Sequence, residues 1–500
     1  MARNSAARAT AVFLPALLLA ATLTAQTDGQ NEQAPAALTE AQASSAATTP
    51  TPGASKVRIV RLSEVKGTVQ MDRANGRGLE AAIANLPVVE KSRIETGEGG
   101  VEVEFEDNSS LRVAPDSIVE FPKLERIPGG TTVSSVRLVK GMAYVSLMKT
   151  AGNEFNLLFG QQNLRLPPAS HVRLELTDTQ AKLAVFDGGV HIETPSGVMD
   201  VPKKRTVTFA LTDSAQPELS KNVASNALDE WDHSSVAYHA RSAGMSAMAG
   251  SPYAYGLNEM AYYGNFVDAG GCGMMWRPYF TSAAWDPYSY GSWAWYEGAG
   301  YSWVSPYPWG WMPYHYGSWS YCEGAGWGWM PGGNWMGLNN TLGFANIKGP
   351  IHKPVAPVHP PMRGQPTLLT VSDKPIVHSG ISEKGSFVFR RDSAGLGVPR
   401  EGLGRLDKFS EHTVSKGLVS TPVYVTAPVD PGPRGERGGS QVAGVPTIHR
   451  GSPPPSSGGF ARGNSGAIGS RGPSVSASST SVSSSSASHA SSGGGGGSHH

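Results

Sequence analysis

The sequence predicts an all-β fold, on three observations. Between about Val57 and Leu211, apolar and polar residues alternate at period two in short runs, as in Val101-Glu102-Val103-Glu104-Phe105 and Val172-Arg173-Leu174-Glu175-Leu176. Turn signals separate these runs at short intervals, among them Thr96-Gly97-Glu98-Gly99, Asp107-Asn108-Ser109, Pro128-Gly129-Gly130 and Asp187-Gly188-Gly189. Further along, an aromatic segment repeats in the manner of successive β-hairpins. No amphipathic helix interrupts the first stretch, which leaves a roll, a sandwich or a solenoid.

Residues 1–25 read as a secretory signal peptide. Arg3 and Arg8 precede the apolar run Ala11–Leu23, and cleavage is expected after Ala25. The run is short for a bilayer span and Pro15 interrupts it; no later stretch reaches the roughly 18 apolar residues of a membrane helix. The mature chain is therefore expected in the periplasm or outside the cell, not spanning a membrane. Residues 26–56, rich in Ala, Thr, Gln and Pro, bury too little to offset chain entropy and are expected to be a disordered linker.

Residues 57–211 form the first expected domain. Ile94–Phe121, IETGEGGVEVEFEDNSSLRVAPDSIVEF, runs turn, strand, turn, strand; Val136–Val145 carries a leucine, a glycine and then a strand, and Val185–Val190 reads as a closing hairpin. In that order these segments resemble the FecR-type domain of bacterial envelope proteins. Gly99-Gly100 stands where that family has a polar pair, and Asn108 where it often has Gly; both can take positive φ. The resemblance implies a β-solenoid or roll and an envelope setting. Signalling members of that family regulate a sigma factor through a cytoplasmic helical segment and a membrane helix, where this chain has the cleavable signal.

Residues 212–255 are expected to be a linker with one short helix over Asn222–Arg241, packing through Leu228, Trp231, Val236 and His239. The next stretch, 256–340, is the most informative. Eleven of the twelve tryptophans lie between Trp276 and Trp335. Trp285-Asp286-Pro287-Tyr288-Ser289-Tyr290-Gly291-Ser292-Trp293 returns 26 residues on as Trp311-Met312-Pro313-Tyr314-His315-Tyr316-Gly317-Ser318-Trp319, and a degenerate first copy spans Tyr263–Trp276. Each copy is predicted to be a hairpin, with glycines at the turn and aromatics alternating along the strands. The segments around Trp303–Trp311 and Pro313–Gly317 resemble a tryptophan-rich module of unknown function that follows FecR-like domains in envelope proteins.

Two readings of these rings compete. Flat rings stack on sugars, so Trp285, Tyr288, Trp293, Trp295, Tyr301, Trp303, Trp311, Tyr314, Trp319, Trp327 and Trp329 are the candidate ligand-binding residues, with envelope polysaccharide or a surface protein as the partner. The same rings are also an efficient core for small hairpins, at about 25 cal/mol per Å² removed from water. Cys272 and Cys322 are the only cysteines, and neither closes the signal sequence where a lipid would attach. Both lie at the same end of their hairpins, the first and the third, and are expected to form a disulfide if those hairpins meet. A flat linear stack would hold them apart.

From residue 341 to 500 Pro, Gly and Ser dominate, and a long, largely disordered tail is expected, with a short β segment near Ser386–Phe389. This stretch holds 16 Lys and Arg against 8 Asp and Glu, but no dense basic run, so no nucleic-acid partner is expected.

No catalytic motif, phosphate loop or metal-ligand spacing occurs, so neither catalysis nor a cofactor is expected. Glu297 and Glu323 could suggest a glycosidase pair, yet they occupy equivalent turn positions, and His315 aligns with Ser289. Three functions stay open: an exported scaffold that binds glycan or a surface component, a FecR-type sensory protein acting through a partner, and a wall hydrolase. The first is the leading expectation.

Overall fold

The computed structural model describes residues 57–422, apart from 195, 213–214, 242–250, 252, 333–334, 339–343, 347–353, 372–379, 382–385, 401–402, 404 and 417. The expected signal peptide and linker lie outside the described residues, as does 423–500 of the expected tail.

Seventeen strands build the first part of the fold: β1 (Val60–Lys66), β2 (Val69–Asp72), β3 (Leu79–Ala81), β4 (Pro87–Val88), β5 (Arg93–Thr96), β6 (Gly100–Glu104), β7 (Ser110–Val113), β8 (Ile118–Arg126), β9 (Thr132–Ser146), β10 (Glu154–Phe159), β11 (Gln162–Leu166), β12 (His171–Leu176), β13 (Gln180–Asp187), β14 (Gly189–Thr194), β15 (Gly197–Pro202), β16 (Arg205–Ala210) and β17 (Glu218–Ser220). One sheet runs β17-β16-β13-β12-β9-β7-β6-β1-β4. A second set comprises β3, β2, β5, β8, β10 and β11, and β9 joins the two. The first half of β9 pairs with β8 and β10, and its last residues pair with β7 and β12.

The change of sheet falls at Gly141, whose φ is 86°; a Cβ there would lie 2.2 Å from the Ser117 hydroxyl oxygen, so only glycine fits. Apolar side chains of both sheets close into one core that includes Val60, Leu62, Val103, Leu111, Val136, Leu157, Leu174 and Val207. Pairing is antiparallel except between β9 and β10, which makes this a roll rather than a solenoid of stacked parallel coils.

Two local expectations are corrected. Val185–Val190 is not a hairpin: β13 pairs with β12 and β16 while β14 pairs with β15, and Gly188 (φ 74°) turns the chain from one sheet to the other. The alternation of Val101–Phe105 predicts a half-buried strand with one face to solvent, but Glu102 and Glu104 are fully buried. Asn108 does take positive φ (71°) in the turn between β6 and β7. Helix α1 (Asp229–Ala240) is shorter than the predicted span and packs on the roll, with Leu228 and Trp231 against Ala114 and Tyr144.

The second part opens with α2 (Leu257–Tyr263) and then forms the three predicted hairpins: β18 (Gly264–Asp268) with β19 (Met274–Pro278), β20 (Gly291–Tyr296) with β21 (Gly300–Val304), and, after α3 (Met312–His315), β22 (Ser318–Cys322) with β23 (Gly326–Met330). The first and third share a sheet through Trp276 opposite Trp329, whereas the second pairs with β25 (Leu368–Val371). This is the arrangement that lets Cys272 and Cys322 meet, and they form a disulfide with a Cα separation of 6.1 Å.

The remaining elements are β24 (Phe344–Asn346), parallel to β22; β26 (Gly380–Ile381), β27 (Ser386–Arg390) and β28 (Leu418–Pro422), which form a small sheet; and α4 (Leu406–Lys416). The expectation of a tail from residue 341 is therefore corrected at its start. Ala394, Leu396, Val398, Leu403 and Leu406 are buried in the aromatic core, and β25 extends a hairpin. Scattered apolar residues between glycines and prolines carry no periodicity from which this docking could be read.

Candidate functional site

The repeat is explained by what lies beneath each tryptophan. A Cβ on Gly264 would fall 2.4 Å from Trp276, and one on Gly291 would fall 2.1 Å from Trp303. On Gly317 it would fall 2.8 Å from the Trp329 indole nitrogen. In each hairpin the indole lies across the bare glycine backbone of the opposite strand, so Tyr-Gly and the later Trp must recur together. All three indoles are fully buried. Trp309 lies at the centre of the cluster, stacked on Tyr307 at 4.9 Å and beside Trp276, Trp285 and Trp319, with its indole nitrogen donating to the Ala394 carbonyl at 2.7 Å.

The proposed sugar platform is corrected accordingly. Of the eleven candidate rings, Trp285, Tyr288, Trp293, Trp303, Trp311, Tyr314, Trp319, Trp327 and Trp329 are buried. Trp295 and Tyr301 alone of the eleven are half-exposed, as an edge-on pair 5.0 Å apart. The rings serve as core because hairpins of this length supply almost no aliphatic interior. His315 is buried as well, its Nδ1 donating to the Gly337 carbonyl at 2.7 Å with the ring 4.2 Å from Trp311. Burial pushes its pKa down to about 4. Glu297 and Glu323 are exposed at their turns.

The polar centre of the molecule lies elsewhere, where the roll meets α1, α2 and the segment before α4. Glu102 and Glu104 on β6 face Arg112 on β7 and Arg61 on β1, as register partners across the sheet. Arg61 bonds Glu104 at 2.6 Å and also Glu259 of α2, and its third contact is the Asn85 side-chain oxygen at 3.0 Å. Arg112 reaches Asp232 of α1 at 2.7 Å, and His171 donates to the other Asp232 oxygen at 2.7 Å. Arg400 bonds both Glu102 and Glu259 at 2.7 Å. His239 of α1 lies 3.1 Å from Glu102.

These groups are out of water, so each charge depends on its partners. Burial alone would raise Glu102, but His239, Arg400 and Arg112 outweigh it and hold the carboxyl well below its usual range. Burial raises Glu104, and Glu259 beside it offsets part of the pull of Arg61, so this carboxyl stays above its usual range. Against burial, Glu102, Glu259 and Glu64 keep Arg400 firmly charged.

Sequence reasoning missed this network. The one signal for it was the complementary spacing of Arg61, Glu104, Glu102 and Arg112 on strands that pair. Chemically the arrangement is a clamp: it fixes β6, α1, α2 and the Arg400 segment to one another, and its carboxylates are spent on arginines.

The FecR protein family matches residues 92–191, which contain β6, β7 and two carboxylates of the clamp, Glu102 and Glu104. The chain carries a FecR domain. A family of unknown function (DUF6600) matches residues 257–348, which contain α2 and the three hairpins. FecR proteins act through partner proteins and are usually associated with the cell envelope. No curated protein matches the chain. Two solved structures of a candidate anti-sigma factor from Parabacteroides distasonis align with 28% and 26% of the chain, each at 14% identity, with TM-scores of 0.24 and 0.23. The chain spans 63% and 60% of their lengths, under two thirds in both. Among the described residues, no helix is long and apolar enough to cross a membrane.

Proposed function

We propose that this chain is a non-enzymatic regulatory protein of the cell envelope, in which the FecR domain senses or relays a state through a partner protein. The FecR match carries this reading. The clamp supports it, because Glu102 and Glu104 of the FecR domain bind, through Arg61 and Arg400, the same Glu259 of the second module. A shift in one module would thus be felt in the other, as a relay requires and independent modules on a tether do not.

The sequence of residues 1–25 and the Cys272–Cys322 bond favour a periplasmic or extracellular setting, since disulfides persist in oxidising compartments. Burial of nine candidate rings leaves the glycan-platform reading without its platform.

Deleting the gene in its own host and profiling transcripts, with the full-length gene restored in parallel, tests the proposal. A discrete set of genes that changes and is restored by the gene supports regulation. An unchanged transcript profile beside a mechanical or permeability defect of the envelope would refute it and favour a scaffold.

A further inference from the structure

Six buried arginines of the folded body share a partner type that Arg277 lacks. Arg58, Arg61, Arg73, Arg112, Arg173 and Arg400 are buried or largely buried, and each has a carboxylate within 2.8 Å. Arg277, on β19, is only partly exposed, yet among the described residues no carboxylate lies within salt-bridge distance of it. Its hydrogen bond is a long one, Nε donating to the Trp327 carbonyl at 3.3 Å. Burial lowers its pKa with no acidic neighbour opposing the shift. A guanidinium in that position carries donors that the protein does not use.

Those donors line a cleft of about 490 Å³ between the β18–β19 hairpin and α4. Asn265 is the cross-strand partner of Arg277, and Tyr279, Thr281 and Ser410 add a ring and hydroxyls to the same walls. Asp407 and Glu411 stand on the α4 side, where Arg405 and Lys408 engage them at 2.6 and 3.3 Å. They lie too far from Arg277 to neutralise it, but close enough to the opening to disfavour a doubly charged ligand. The volume falls in the range of small-molecule sites.

We infer that this cleft binds a monosaccharide-sized carboxylate, with Arg277 as the two-pronged anchor of the carboxyl group and Asn265, Tyr279, Thr281 and Ser410 meeting the remaining hydroxyls. A guanidinium matches a carboxylate with two parallel N–H···O bonds, which an ammonium cannot reproduce. The inference stands on the geometry of the second module and does not depend on the regulatory reading.

Calorimetric titration of the full chain with glucuronate, glucose 1-phosphate and glucose tests it. Glucuronate is expected to bind saturably, more tightly than the phosphate, with no binding of glucose. Arg277→Gln should weaken glucuronate at least tenfold, and Arg277→Lys should fall between Gln and the native residue. Near-ultraviolet circular dichroism, which reads the packed tryptophans, checks that each variant is folded; should Gln misfold, the Lys variant carries the test. Absence of saturable binding by glucuronate, equal binding of glucose, preference for the phosphate, or native affinity in a folded Arg277 variant would each overturn the inference.

Discussion

Arg400 and Glu102 stand 298 positions apart in the chain and meet at 2.7 Å in the interior of the fold. The same guanidinium bonds Glu259 and the Ser63 carbonyl and lies 4.9 Å from the centre of the Tyr238 ring. One side chain from beyond the second module thus touches the FecR domain, α1 and α2 together. Without it, Glu102 and Glu259 would keep their burial and lose a cation that both share.

Arg400→Met should therefore destabilise the folded body by about 3–5 kcal/mol, the cost of leaving a buried charge uncompensated. Arg405→Ala, which removes an exposed partner of Asp407, should leave stability nearly unchanged. Denaturant midpoints of the two variants, measured side by side, check this. Equal, small effects would show that the clamp does not hold the modules.

The aromatic core makes a graded prediction. Trp309→Ala removes a buried ring packed against five others and should cost about 3–5 kcal/mol. Trp295→Ala removes a half-exposed ring whose neighbour is Tyr301, and should cost about 1 kcal/mol or less. Thermal unfolding of both variants separates a ring that supports the fold from one that faces outward.

How much of this was legible depends on the range over which each cause acts. The hairpins were readable because a glycine under an indole is a short-range demand, met twelve residues later in each copy, and it recurs from Gly264 to Trp329. The burial of those same indoles was not readable: alternation tells which rings share a face, not whether β25 or the segment at Ala394 will cover it. Glu102 and Glu104 were misread for the same reason. Their period-two pattern marks a polar face, and only α1, α2 and Arg400, all distant in sequence, turn that face into an interior. The Arg277 cleft left no pattern at all, since what distinguishes this arginine is how little of its guanidinium the fold engages.

Acid should weaken the second module through His315. Its pKa is about 4 in the fold against an ordinary value of 6.5, so the folded state binds fewer protons than the unfolded chain between these values. Its contribution is complete above pH 6.5 and is lost as the pH falls through 4, amounting to about 3 kcal/mol by the usual 1.4 kcal/mol per unit. His315→Asn, which keeps a donor for the Gly337 carbonyl, should flatten this part of the stability profile. A native-like slope between pH 6.5 and 4 in the variant would place the acid sensitivity elsewhere.

The last prediction concerns the bond between Cys272 and Cys322, which joins the turn of the first hairpin to the end of β22 in the third across 50 positions of sequence. These two hairpins already meet through Trp276 and Trp329, so the bond closes a loop the sheet has shaped and mainly restricts the unfolded chain. For a loop of that length the chain-entropy estimate is on the order of 4 kcal/mol, and a replacement that preserves packing should approach it. Cys322 is buried beside Met275 and Ala269, so Cys322→Ala keeps an apolar contact there, and Cys272→Ser suits the more open partner. The double variant should unfold at lower denaturant while keeping the near-ultraviolet signal of packed tryptophans in water. Thiol labelling of denatured, unreduced native protein should find no reactive cysteine; two labels per chain would show the bond absent in solution and leave β19 and β23 to hold the hairpins together through the sheet alone.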